Sequence, residues 1–302
     1  MRVVRFHEFG GSDKLQMEQV PRPQPQAGEL LVSIRSIGVN PVDWKIRAGK
    51  TRYVPSLPVT SGQDFAGVVE EPAHARSDLS VGARVFGFAQ GSYAEYALAR
   101  AGDIAALPEA VGFETAAALP TPGLTAMQML QAAEVRSGQT VLIHGAGGSV
   151  GSLATQLAVL AGARVFATAL GADVGYVGEL GAERVIDNDH QRFEDVVGEV
   201  DVVIDLVGGE TQRRSYAVVS RKGVLVTSVG LVDSAAAGQR GFRAIAFVMS
   251  RNRQDLERLI QMVEHNQLRV RIARVLPFPE ARQAQELTEH GEVNGKVLLR
   301  VA

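Results

Sequence analysis

The sequence predicts an α/β protein, with a doubly wound parallel sheet in the middle of the chain and a β-rich segment before it. Between about Ala116 and Ser250, short apolar runs rich in Val and Ile alternate with helical segments, the pattern of parallel strands joined by crossover helices. Before Ala116, apolar residues recur with a period of two and are interrupted by Gly and Pro, as in half-buried strands. The chain has 302 residues, and at roughly 150 residues per domain that length suggests two domains.

In order, "RVVRFHEF", "ELLVSIRSIGV", "DFAGVVEEP" and "GARVFGFAQGSYAEYALA" read as strands, with the proline-rich "VPRPQPQAGE" as an extended connection. "AAALPTPGLTAMQMLQAA" reads as a helix that begins past its prolines. "TVLIHG" follows as a buried strand, "VGSLATQLAVLAGA" as a helix and "RVFATA" as a strand. Then come "YVGELGA" as a helix and "RVID", "VDVVIDLVG" and "GVLVTSVG" as strands. The last fifty residues are expected to hold one amphipathic helix, "RQDLERLIQMVEHNQL", and a closing strand, "GKVLLRVA". That strand comes too late to continue the alternation, so the tail is expected to rejoin the first domain. The expected boundaries are 1–118 for the β-rich part, 119–250 for the α/β domain and 251–302 for the return.

A formal charge of −2 supplies no field for nucleic acid or an anionic membrane, and neither partner is expected. No apolar run approaches the roughly 18 residues that span a bilayer, and "MRVVRFHEFGG" lacks the apolar core of a secretion signal, so a cytoplasmic location is expected. Cysteine is absent, which removes disulfides, thiol chemistry and thiolate-bound zinc. The six histidines are scattered without ligand spacing, and no metal is expected.

The informative motif is Ala146-x-Gly148-x-x-Gly151, which directly follows a strand and opens a helix. Small residues at the first two positions let the backbone approach a pyrophosphate, and Gly151 lets helix and strand pack closely. Free N–H groups at the helix start face the phosphates. A nucleoside triphosphate loop would need Gly-Lys-Ser/Thr, and "GGSVGS" has no lysine. His144, just before the turn, reads as a packed strand-end residue. At the tip of the next strand, NAD enzymes place Asp or Glu to hold the ribose. Here the tip is Thr168-Ala169-Leu170, which permits a 2′-phosphate, yet "GADVGY" supplies no Arg or Lys to bind one.

Taken together, "GVNPVDWKIRAG", "LPVTSGQDFAGVV", "GSYAEYALA", "LPTPGLTAMQML", "HGAGGSVG", "ELGAERVID", "DVVIDLVGGET" and "NGKVLLRVA" resemble the zinc-independent quinone oxidoreductase branch of the medium-chain dehydrogenase/reductase superfamily. "NPVDWK" looks most like the alkenal and enone reductases. The resemblance implies a Rossmann domain at the centre and a GroES-like catalytic domain built from both ends of the chain. Zinc-dependent relatives have Cys at the position of Asn40 and His at that of Gln63. The activity implied is therefore metal-free hydride transfer to a quinone or an α,β-unsaturated carbonyl, in a homodimer. Two alternatives stay open: a cofactor-binding redox sensor or partner-binding protein with little turnover, and an enoyl-thioester reductase.

The candidate catalytic residues are Asn40, Lys45 and Tyr53, as donors to the oxygen on which charge develops. By resemblance, Gly147, Gly148, Ser149, Val150 and Gly151 lie at the pyrophosphate, Thr168, Ala169, Leu170 and Gly171 at the adenosine ribose, and Asn188 at the adenine. Thr125, Leu206, Val229 and Asn294 are expected on the nicotinamide side. The implied cofactor is NADPH, with NADH as the alternative, because the relatives' NADP signature has Ser at the position of Leu170 and Lys at that of Asp173. For the interface, "RAIAFVM", Arg243 to Met249, is expected to pair as an edge strand.

Overall fold

The structure, a computed structural model, describes residues 1–52, 54–72, 79–291 and 293–301. It consists of two compact units, Met1–Thr121 with Arg251–Ala302, and Pro122–Ser250. The first unit opens with β1 (Arg2–Phe6), β2 (Gln16–Gln19) and the long β3 (Glu29–Val39). Next come α1 (Pro41–Arg47), β4 (Val59–Thr60), β5 (Asp64–Glu71), β6 (Arg84–Phe88), β7 (Tyr96–Arg100), β8 (Ile104–Ala106) and α2 (Phe113–Ala117). Asn40-Pro41 starts α1 because Asn40 is extended, at φ −123°, and Pro41 fills the first helical position, where no N–H is needed.

The second unit takes up the chain within α3 (Pro120–Ala132). It continues with β9 (Thr140–His144), α4 (Ser149–Leu160), β10 (Arg164–Ala169), α5 (Val174–Gly178) and β11 (Arg184–Asp187). It ends with β12 (Val200–Asp205), α6 (Gly209–Ser215), β13 (Val219–Thr227), α7 (Ser234–Arg240) and β14 (Arg243–Ala246). The prolines expected to precede α3 lie inside its first turn, where their missing N–H groups would have no helical acceptor anyway. Six strands form a parallel sheet in the order β11-β10-β9-β12-β13-β14. The reversal of strand order beside β9 is the switch point at which such sheets bind ligands, outside the carboxyl ends of the strands.

The return contains α8 (Arg253–Glu264), β15 (Ile272–Pro277), α9 (Ala281–His290) and β16 (Lys296–Arg300). Of these, α9 is a second helix where the sequence reading has one. Its buried face is Ala281, Ala284 and Gln285, too small and polar to give an apolar periodicity. β16 pairs antiparallel with β3 in the order β15-β16-β3-β5-β6-β8, and β7 also pairs with β3. The inward faces of these strands, among them Val32, Ile34, Ile37, Phe65, Val85, Val297 and Leu299, form one core against Phe278 and α9. Each such side chain contributes roughly 1.5–3 kcal/mol when fully buried.

Candidate active site

The glycine turn joins β9 to α4. Gly148 is extended and caps the helix, and Gly148, Ser149 and Val150 are half-buried around the first turn. Gly147 and Gly151 are buried. A Cβ at Gly151 would lie 2.1 Å from the Gly145 carbonyl oxygen, so only glycine lets α4 pack this tightly on the end of β9. The first-turn N–H groups of α4 have no acceptor within the helix, an arrangement that can hold a phosphate.

His144 supports the turn from below. Ser215 donates its hydroxyl proton to Thr211 O at 2.7 Å, so it accepts from His144 Nε2–H at 2.9 Å. His144 Nδ1 is then an acceptor for the Thr168 hydroxyl at 3.1 Å, and Thr168 Oγ1 in turn accepts from Gly145 N–H at 3.4 Å. Burial holds the imidazole at about 4, below its ordinary value, and this neutral form suits the chain of bonds. Thr168, expected at the adenosine ribose, lies at the end of β10 with its hydroxyl bonded beneath the turn. It is fully buried, as is Ala169 almost wholly.

Among the residues expected at the adenosine end, Leu170 is 53% exposed, and Gly171 N–H donates to Asp189 Oδ2 at 2.9 Å. Asn188 is exposed and donates its N–H to Ala169 O. The sequence reading found one carboxylate here, Asp173; the structure brings three around this loop. Asp173 Oδ2 lies 2.8 Å from where a Gly147 Cβ would be, and Asp189 and Asp187 oxygens lie 3.3 and 3.4 Å from the corresponding point at Gly171. His190 bonds Asp187 at 2.8 Å, which raises the histidine and lowers the carboxylate. The acids in "RVIDNDH" were the available signal, but only the pairing of β10 with β11 sets them beside Gly171.

Leu206 is half-buried and Val229 is 46% exposed, on loops after β12 and β13 that are fastened to each other. Asp205, fully buried, accepts from Val207 N–H (3.1 Å), Gly208 N–H (2.8 Å), Gln212 Nε2 (2.7 Å) and Thr227 Oγ1 (2.9 Å). Four donors satisfy a buried carboxylate that would otherwise be costly. Gln212 extends the clamp by accepting from Val232 N–H at 2.6 Å and donating to Gly230 O at 2.9 Å. Neither residue was singled out from the sequence. Thr125 is buried on α3.

In the first unit, the Lys296 ammonium donates to Asn40 Oδ1 and to Asp64 Oδ2, the latter at 3.1 Å. Thr121 completes Asp64 through its N–H (3.1 Å) and its hydroxyl (2.6 Å). Lys296 and Asp64 are both buried, a state that requires such pairing. The ammonium fixes the Asn40 carboxamide with its oxygen toward the charge, leaving Nδ2 as the donor, with a long 3.5 Å contact to Gly38 O. Asn294 is half-buried just before Lys296. Gln63 Oε1 accepts from Arg251 at 2.8 Å, and Arg251 pairs with Asp103 at 3.0 Å.

At Asn40 and Gln63, where the resemblance puts zinc ligands in the metal-dependent relatives, this chain has amide oxygens that accept from Lys296 and Arg251. Among the described residues, no group of three or more His, Asp or Glu could hold a metal ion. Lys45 is half-buried with Nζ 5.7 Å from the Trp44 ring, apart from the Asn40 network. Tyr53 lies outside the described residues.

Close to Asn40 is a feature the sequence did not reveal. Asp43, 2% exposed, accepts from Asn40 N–H at 2.9 Å and from the Tyr93 hydroxyl at 3.2 Å, both at Oδ2. Tyr93 reaches it because Gly62, at φ +87°, has no side chain: a Cβ there would lie 2.1 Å from the tyrosine ring. Burial pushes the Asp43 carboxyl up to about 7. Asp43 also helps to line a cavity of about 480 Å³ with Ile46, Thr60, Ser61, Gln63 and Phe88.

The alcohol dehydrogenase GroES-like domain matches residues 26–109, and the zinc-binding dehydrogenase family matches residues 180–299. The chain is 33% identical to quinone oxidoreductase of Mus musculus, covering 99% of this chain and 97% of that protein. It is 31% identical to the chloroplastic NADPH-dependent alkenal/one oxidoreductase of Arabidopsis thaliana, over 99% and 79% of the two chains. The quinone oxidoreductase structure from Coxiella burnetii superposes with a TM-score of 0.94 at 34% identity, covering 100% and 99%. The chain belongs to the quinone oxidoreductase branch of the medium-chain dehydrogenase/reductase superfamily. Among the described residues, no helix is long and apolar enough to cross a membrane.

Proposed function

We propose that this chain is a metal-free, NADPH-dependent reductase of quinones or α,β-unsaturated carbonyls. The observation that carries the reading is the strand–turn–helix at Gly147 to Gly151, closed so tightly that Gly151 tolerates no side chain. When bound, NADPH supplies a hydride from its nicotinamide C4 to the acceptor. The α4 N-terminus holds the pyrophosphate, while Asp205 and Gln212 hold the loops that carry Leu206 and Val229. Leu170, Gly171 and Asn188 meet the adenosine end. Asn40 Nδ2, oriented by Lys296, donates to the acceptor oxygen on which negative charge grows. The resemblance to quinone and alkenal/one oxidoreductases supports this acceptor class. The cavity of about 480 Å³ falls within the usual range for small ligands.

The test is oxidation of NADPH by the purified protein with a panel of quinones, alkenals and enones. Acceptor-dependent loss of nicotinamide absorbance is expected, and none with any acceptor would overturn the reading. We also propose a cytoplasmic homodimer. β14 is an edge strand and the nearby Val248 is 87% exposed, an apolar edge that a second copy would cover. A monomer by light scattering at micromolar concentration would refute the dimer.

A further inference from the structure

We propose that the second unit carries a binding site for a small phosphate-bearing anion, at the opposite end of the parallel sheet from the glycine turn. The amino ends of β9, β12, β13 and β14 surround a cavity of about 270 Å³ there. Cavities that take drug-sized ligands run from roughly 300 to 1,000 Å³, so this one suits a single phosphate group or a small ester of it. Its charged lining is Arg136, Arg221, Lys222 and Arg243 against Glu134 and Asp201. Both carboxylates are already engaged. Asp201 Oδ2 accepts from Thr140 N–H at 2.8 Å, and Glu134 is shared at 3.3 and 3.5 Å between Arg136 and Arg243. The side chains of Arg221 and Lys222 are exposed and have no ion pair or hydrogen bond among the described residues. Two cations are left over for an anion, and a cleft with an excess of one sign concentrates its field.

The backbone is bent to put those two cations there. Val200 pairs with Val219 and Val202 with Val224, so two steps along β12 are matched by five along β13, and Ser220 to Gly223 bulge out of the ladder. Lys222 sits in the bulge at φ +71°, and Glu134 is at φ +54°, a conformation that strains a residue with a side chain. Among the described residues they are two of three such cases, and both line this cavity. Lys222 N–H donates to Gly241 O at 2.8 Å, which fixes the bulge. Gly223 lets it lie against β12, since a Cβ there would be 2.8 Å from Asp201 O. Strain kept at a lysine, where glycine would relieve it, points to a use for the side chain. A guanidinium fork matches two oxygens of a phosphate at once, and the ammonium adds a point charge.

The experiment titrates inorganic phosphate and glycerol phosphate into the full chain by calorimetry at constant ionic strength and about pH 8, where the phosphate group is a dianion. It is run without nucleotide and again with NADPH present. Wild type is compared with Arg221→Gln/Lys222→Gly, with Glu134→Gln and, as a control, with Arg35→Gln, an exposed arginine of the first unit. Phosphate held at the glycine turn is the same in all four proteins, so only a difference between them reports the proposed site. Binding of either anion supports it, and the tighter of the two names the source. The double substitution is expected to weaken binding at least about tenfold, with or without NADPH. Because Lys222→Gly also relieves the strained φ, that variant should melt no lower than wild type, and its melting curve separates lost binding from a lost fold. Glu134→Gln removes a competing negative charge and is expected to tighten binding about two- to fivefold at low salt. Wild type without binding, or the double substitution changing affinity no more than Arg35→Gln does, would overturn the site. Succinate bound as tightly as phosphate would overturn the ligand class. Wild type that binds phosphate but not NADPH would count against the reductase reading and leave this site standing.

Discussion

Replacing Asp43 with Asn should reshape the pH dependence of stability in the unit that holds it. Asp43 rises from 3.8 to about 7 on folding, so the folded state binds its proton more tightly than the unfolded chain does. The neutral acid's stability is fully present below pH 3.8 and is lost as pH rises to about 7. At about 1.4 kcal/mol per pH unit, the loss is roughly 4 kcal/mol. Asparagine does not titrate, so the stability difference between variant and wild type should move by that amount in the variant's favour between pH 4 and 7.5. Hydrogen bonds lost or strained by the amide offset the two curves but are the same at every pH. The assay is urea unfolding followed by tryptophan fluorescence, because Trp44, the only tryptophan, adjoins Asp43 and reports this unit alone. Curves that stay parallel across this range would refute the burial argument.

The remaining predictions concern the second unit. Asp189→Asn keeps an acceptor for Gly171 N–H but removes a charge, so NADPH should bind about three- to fivefold more tightly at low salt and NADH should change little. Equal effects on both nucleotides, measured by fluorescence titration, would place the 2′-phosphate elsewhere. Gly151→Ala should weaken NADPH binding by at least about tenfold, because the new Cβ meets the Gly145 carbonyl oxygen at 2.1 Å; unchanged affinity would mean that the turn is not the cradle. His144 runs opposite to Asp43: its value falls on folding, so its stabilising effect is present above pH 6.5 and lost toward about 4. His144→Asn should flatten that acid loss in circular-dichroism melts, and an unchanged slope would show the imidazole already charged in the fold.

The sequence by itself determined the class of fold and the strand–turn–helix at Gly147 to Gly151, because both depend on short-range chemistry. Strand and helix periods are local, and a glycine turn between a strand and a helix is contained in twelve consecutive residues, "TVLIHGAGGSVG". Helix α9 escaped because alanine and glutamine bury a face without announcing it. Only the tertiary structure decided the rest, since charge and burial depend on neighbours far apart in the chain. Lys296 reaches Asn40 across 256 positions through the pairing of β16 with β3. Tyr93 reaches the buried Asp43 across 50, over a bare glycine. Thr168 is a candidate ligand contact in the line of letters. In the fold its hydroxyl faces inward to His144, because alternate residues of a strand point to opposite faces and neighbouring elements decide which face is covered.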